Sequence, residues 1–257
     1  GCFAVGALLS PLLLIFCAGR WPGLGWRIMA GLLCLLCISQ LVVYAKMPLP
    51  PEYAKKSITS VDLRFFKVKQ FWLGAAMLFF YISTEYAIVG WLVTYFQDIG
   101  VLDPNQSQMM NSLLWLVIFL GRMVGAVITG KLSRSKLLLL DGVGLFSFFL
   151  VMFFSRTPAP IILGLVGVGF FMATIYPTAF AFGSDCIRGN DLGCSVMIFT
   201  GSAGGILTPA MVGFVAERAG IRAGMGLIVV FAALLLFSIL LSVFSVRTAQ
   251  ALPEKGE

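Results

Sequence analysis

Phe71-Trp72-Leu73-Gly74-Ala75-Ala76-Met77-Leu78-Phe79-Phe80-Tyr81-Ile82-Ser83-Thr84-Glu85-Tyr86-Ala87-Ile88-Val89-Gly90-Trp91-Leu92-Val93-Thr94-Tyr95-Phe96 carries one charge, Glu85. About 20 mainly apolar residues suffice for a helix to cross a bilayer. A carboxylate at mid-span is costly, so it is either neutralised by a partner or used. The stretch predicts a membrane protein with a candidate working site near mid-depth.

The same pattern extends along the chain. It is 60% hydrophobic and 11% charged, where a soluble domain carries about 25% charged residues. Eight runs qualify as spanning helices: 3–19, 28–45, 71–94, 110–130, 138–154, 159–182, 193–215 and 224–245. The short alternating strands of a membrane barrel are absent from the pattern. The fold class is therefore an all-α multi-pass membrane protein.

Composition also narrows function. The net charge is +7, but the basic residues sit in short loops and form no basic helix or patch, so nucleic acid is not an expected partner. The chain has no His, which removes imidazole metal sites and His-based catalysis. Cys34 and Cys37 show a C-x-x-C spacing inside an apolar run, where they read as small apolar fillers. Gly164-x-x-Gly167-x-Gly169 lies in an apolar span with no strand before it, so it is not a nucleotide loop. No Walker sequence and no catalytic constellation emerges. An enzyme, a cofactor and a metal are not expected. Asn105-Gln106-Ser107 fits a glycosylation sequon, a pattern common by chance.

Loop charge sets orientation. The 46–70 loop holds Lys46, Lys55, Lys56, Arg64, Lys67 and Lys69 against Glu52 and Asp62, which places it on the cytoplasmic side. Alternation then puts the 95–109 loop outside, the 131–137 loop (Lys131, Arg134, Lys136) inside, and the C-terminal tail inside. Met47-Pro48-Leu49-Pro50-Pro51 cannot continue a helix, and Leu63, Phe65, Phe66 and Val68 among basic residues suit a segment lying flat at the interface. Residues 1–46 thus form two spans, 47–70 a cytoplasmic linker, 71–246 six spans and 247–257 a tail. Gly1 is not an initiator residue, and two plus six spans is an odd division. The chain reads as beginning partway through a larger membrane protein.

Within the spans, Tyr81 and Glu85 share a helix face, which Ile88 and Leu92 continue. That face should meet the bundle interior or a water-filled cavity. Solute contact and reversible proton exchange are the functional readings of Glu85; a structural carboxylate is the alternative. Trp91 and Tyr95 near the outer end suit interfacial anchors. Asn111 lies near the outer mouth of the fourth span, Trp115 one turn deeper. Arg122 falls in the inner third, where it reads as a charge clamp at an inner gate, with Asp141 a candidate partner for the bases there. Pro177, in Thr174-Ile175-Tyr176-Pro177-Thr178, should kink the sixth span. Thr200, Gly204, Gly205 and Pro209 predict a second bendable helix. Transporters use such helices at mid-depth sites and gates.

These residues resemble one family. Tyr81 to Trp91 with Glu85 looks like the seventh helix of the fucose–galactose–glucose:proton symporter group of the major facilitator superfamily. Gly121-Arg122 with Gly125 is similar to the eighth helix, Tyr176-Pro177-Thr178 to the tenth, and Gly201 to Gly205 with Thr208-Pro209 to the eleventh. Gly6-Ala7 and Pro11, then Gly25-Trp26-Arg27, resemble helix five and the turn into helix six. The superfamily has twelve helices in two halves, so the resemblance implies helices five to twelve here. The loop signature Gly-x-x-x-Asp-Arg-x-Gly-Arg is only partly echoed from Gly130 to Lys136, with Arg134 at the Asp position. The resemblance implies a monomeric secondary transporter of a small solute, typically a sugar, driven by protons through alternating access. The candidate cavity residues are Tyr81, Glu85, Asn111, Trp115, Tyr176 and Thr200. Arg122, Asp141, Pro177, Gly204, Gly205 and Pro209 are the gating or structural set. The principal proton-coupling carboxylates of that group lie in its N-terminal half, so Glu85 carries over as a cavity residue only. A same-fold exporter of drugs or other organic solutes and a non-transporting membrane receptor or scaffold are the alternatives.

Overall fold

The structure is a computed structural model that describes residues 2–48, 63–187 and 190–251. Positions 49–62, most of the predicted linker, and 252–257 of the predicted tail lie outside the described residues. Among the described residues every regular element is helical: α1 Cys2–Arg20, α2 Gly25–Lys46, α3 Lys69–Asp98, α4 Pro104–Ile128, α5 Arg134–Phe154, α6 Pro158–Met172, α7 Ile175–Ser184, α8 Asp191–Ala219 and α9 Ile221–Ala251. Short 3-10 turns cover Arg64–Lys67 and Asp185–Ile187. Seven described helical segments are long and apolar enough to cross a membrane, with α6, α7 and the following turn forming one of them.

The helices outrun the apolar runs that announce them. The fourth begins at Pro104, not at 110, because Asp103 caps it. Gln106 N–H donates to the Asp103 carboxylate at 2.7 Å and Asp103 N–H donates to Gln106 Oε1 at 3.1 Å, a reciprocal capping box. Ser107 is fully buried and donates to the Asp103 carbonyl at 2.9 Å. The sequon hydroxyl is thus committed to the helix start. At the far end, α9 continues through Ala251, into the stretch read as tail.

The chain divides into two compact units, Gly6–Val61 and Gly1–Val5 with Asp62–Glu257. In the smaller unit, a four-residue turn joins α1 to α2. Trp21 N–H donates to the Cys17 carbonyl at 2.9 Å and Gly25 N–H to the Trp21 carbonyl at 3.0 Å, which closes the turn. The Arg20 and Arg27 guanidinium groups sit 5.8 and 5.2 Å from the Trp21 and Trp26 rings. Cys17 is a buried free thiol, and Cys34 and Cys37 are exposed ones.

In the larger unit, α3 is the hub, packed by α8, α9, α7 and α4. Its buried set includes Phe71, Leu78, Tyr81, Glu85, Ile88 and Leu92, so the predicted polar stripe does face protein. Tyr95 is 1% exposed and its hydroxyl donates to the Phe153 carbonyl at 3.1 Å. Tyr95 therefore ties α3 to α5 and is no interfacial anchor. Phe65 is likewise buried, its ring 4.9 Å from Phe71, while Leu63 and Phe66 stay exposed. The segment before α3 packs Phe65 back onto that helix.

The approach of α7 to α3 is set by glycines. Gln70 Nε2 donates to the Phe182 carbonyl at 2.8 Å, and a β-carbon on Gly74 would meet the Cα of Gly183 at 2.6 Å. Only a residue with no side chain allows the backbones to come this close. The same holds where α8 crosses α3. A β-carbon on Gly204 would meet the Phe79 carbonyl oxygen at 2.6 Å, and one on Gly205 the Ile82 Cγ2 at 2.8 Å.

Candidate functional site

The sixth span is interrupted ahead of Pro177, with the two residues between its helical parts still in the helical region of backbone space. Helix α6 stops at Met172 and α7 starts at Ile175. Pro177 lies in the first turn of α7, where its missing N–H matters little. The chain breaks four residues upstream, near Ala173, whose carbonyl a regular residue 177 would have bonded. Thr174 is the N-cap residue of α7, yet its hydroxyl caps nothing on that helix. It donates instead to the buried Asp141 carboxylate on α5. The Thr174 carbonyl accepts from Thr178 twice, from N–H at 3.2 Å and from Oγ1 at 2.7 Å.

This break lines a cavity of about 910 Å³. Thr174, Tyr176, Pro177 and Thr178 form one wall, Ile82, Glu85 and Tyr86 of α3 the next, Arg122 and Met123 of α4 a third, and Ile198 and Ser202 of α8 the rest. Thr129 and Arg134 sit on the wall at the end where α4 passes into α5. The Arg134 guanidinium pairs with Asp185, which follows α7.

Glu85 is 7% exposed and Tyr81 fully buried. The Tyr81 hydroxyl donates to the Met172 carbonyl at 3.1 Å, at the last residue of α6. Glu85 lies one turn beyond Tyr81 on α3, and the Arg122 guanidinium acts electrostatically on both. The cost of an intramembrane carboxylate is thus offset by a cation and a phenol on the adjoining turn and helix. Arg122 Nε is buried without a hydrogen-bond partner among the described residues. The site combines a charge-balanced acid–base pair with hydroxyl groups at an irregular backbone, an arrangement fitted to reversible binding of a small polar molecule. It has no group of acid, thiol and imidazole side chains that would hold a metal, among the described residues.

The nominated residues divide. Glu85, Tyr176, Arg122 and Pro177 lie on the cavity wall, and Tyr81 stands directly behind it. Asn111, Trp115 and Thr200 lie elsewhere. Asn111 Oδ1 is buried without a partner, Trp115 is buried, and Thr200 donates to its own helix at the Val196 carbonyl, 2.8 Å away. Asp141 meets Thr174 rather than a base. Gly204 and Gly205 serve the α3–α8 crossing. Helix α8 runs unbroken through Pro209, whose carbonyl accepts from Trp91 Nε1 at 3.0 Å. This helix is therefore not broken at its proline, and Trp91 is its cross-brace. Thr174, Ser202 and the Arg134–Asp185 pair were not singled out as site residues. Ser202 and Thr174 were visible as polar residues within apolar spans; nothing in the sequence pairs positions 134 and 185.

The sequence pattern of the Major Facilitator Superfamily matches residues 1–193, three quarters of the chain. The chain belongs to the Major Facilitator Superfamily. A superfamily relative named putative glucose/galactose transporter, from Helicobacter pylori (strain ATCC 700392 / 26695), is 28% identical over 199 residues, 77% of this chain and 47% of the relative. Protein TsgA of Escherichia coli O17:K52:H18 is 22% identical over 224 residues, 87% of this chain and 56% of that protein. The chain spans about half the length of these curated relatives. Its fold matches the crystal structure of the superfamily transporter FucP in the outward conformation, with a TM-score of 0.63 at 18% identity over 85% of this chain and 54% of that one. Family and fold are those of transporters, not enzymes.

Proposed function

We propose that the protein containing this chain is a proton-coupled transporter of a small solute, in the first instance a sugar, working by alternating access. Residues 71–246 act as its C-terminal six-helix half. The observation that carries this reading is the cavity of about 910 Å³ with Glu85 and Arg122 on adjoining walls. Its size falls in the roughly 300–1,000 Å³ range of small-molecule sites. The name of the Helicobacter relative supports a hexose as the first solute to test. The broken α6–α7 segment supports movement at the cavity wall, since irregular backbone at membrane depth is tolerated only facing protein or water. The Lys and Arg residues gathered at the 64–69 and 131–136 loops support a cytoplasmic position for that end of the bundle and for the C-terminus. The protein acts as a monomer in the bilayer.

The test is uptake by the full-length protein in proteoliposomes, with and without an inward proton gradient. Gradient-driven accumulation of a hexose is expected. Equal uptake without the gradient removes proton coupling, and no uptake of any sugar removes the solute class. Glu85→Gln is expected to change solute affinity or the pH dependence of uptake. Unchanged transport from about pH 5 to 8 takes Glu85 out of the working site.

A further inference from the structure

Arg122 has two roles to choose between. As an interhelical clamp it would need an acid on a neighbouring helix. Asp141 is occupied by Thr174, and Asp185 holds Arg134. The acid that Arg122 acts on is Glu85, itself on the cavity wall. A guanidinium presents several N–H donors in a fixed fork. Arg122 lines the cavity together with Glu85, and among the described residues no carboxylate lies within ion-pair distance of its guanidinium, while Nε is buried and unpartnered. A buried donor left without an acceptor is costly, and the side chain that carries this one lines the cavity.

Charge points the same way. The charged residues lining the cavity are Glu85, Arg122 and Arg134. Arg134 belongs to the half-exposed rim, where its side chain is 49% exposed and Asp185 balances it. Asp141 lies one hydroxyl behind the wall and does not line it. The deep part of the cavity therefore presents one anion and one cation. Their fields oppose each other over a solute that touches both, whereas a charged solute meets like charge on one side. Between them they offer acceptors from Glu85 and donors from Arg122, a match for neighbouring hydroxyls on an uncharged ring.

Resting on the transport reading above, we propose that Arg122 hydrogen-bonds the transported solute directly and that the Glu85–Arg122 pair makes the cavity selective for uncharged over charged solutes. Losing a charge-assisted bond to the solute costs about ten- to hundredfold in affinity. The experiment compares uptake of D-glucose, D-glucuronate and D-glucosamine by the full-length protein in proteoliposomes. These probes share a ring and differ in charge.

The unaltered protein should prefer glucose. Arg122→Gln should raise the glucose KM by about ten- to hundredfold with a smaller change in maximal rate, and should move the residual preference toward glucosamine. Glu85→Gln should move it toward glucuronate. A glucose KM within about twofold of normal in Arg122→Gln, or a loss confined to the maximal rate, makes Arg122 a clamp and overturns the proposal. Equal or better uptake of a charged sugar by the unaltered protein overturns the selectivity while leaving transport intact. No uptake of any of the three overturns the sugar reading and this proposal with it. Should Arg122→Gln fail to fold, the double variant Glu85→Gln/Arg122→Gln restores charge balance. It should still favour glucose, at a raised KM; a double variant skewed toward either charged sugar overturns the proposal.

Discussion

In the larger unit two spans contain an interior proline, and only one of them is broken. In the sixth span the helix stops at Met172 and restarts at Ile175, ahead of Pro177. In α8 the helix passes through Pro209 without interruption. The proline is common to both, so it does not by itself decide the outcome. The neighbours differ. Beside Pro177, Thr174 gives its hydroxyl to Asp141 on another helix and its carbonyl to Thr178. Beside Pro209, Trp91 Nε1 takes the Pro209 carbonyl from the side and braces the helix to α3. A break in a membrane helix needs partners for the backbone groups it frees. At the α6–α7 junction the Met172 carbonyl accepts from the Tyr81 hydroxyl on α3, and α8 has stayed helical.

The comparison can be broken at its anchor. Asp141→Ala leaves the Thr174 hydroxyl without its buried acceptor and is expected to cost about 1–3 kcal/mol, read as a lower unfolding temperature in detergent. Asp141→Asn keeps an acceptor and should lose less. Unchanged stability in Asp141→Ala would mean that the break holds without its anchor. Trp91→Phe keeps a smaller aromatic ring and removes the donor to Pro209, with an expected loss of about 1 kcal/mol from the hydrogen bond; no change in unfolding temperature would leave α8 continuous for some other reason. The smallest effect belongs to Thr200→Val. Its hydroxyl back-bonds within α8, so stability should shift by less than about 0.5 kcal/mol and solute KM should not move. A raised KM would return Thr200 to the cavity.

The helices were legible because each is an uninterrupted apolar run, and Glu85 because a charge stands out in one. Their ends were less legible. Hydropathy does not register the Asp103–Gln106 cap, which extends α4 to Pro104. Arg134 and Asp185 lie 51 positions apart and Asp141 and Thr174 lie 33 apart, so their pairing follows from helix packing that no local pattern encodes. Tyr95 shows the limit from the other side. A tyrosine near a span end is compatible with a lipid headgroup or with a carbonyl on a neighbouring helix, and only the position of Phe153 selects the second.

The Gly74–Gly183 crossing gives the cavity an adjusting screw on its back. Gly183 belongs to α7, the helix that carries Tyr176, Pro177 and Thr178 on the cavity wall. A single methyl at either glycine acts as a shim of known thickness between α3 and α7. It would tilt the wall of the cavity while leaving every lining side chain chemically unaltered. Solute fit and solute chemistry can thus be varied separately, the first from behind the wall and the second at Glu85 and Arg122.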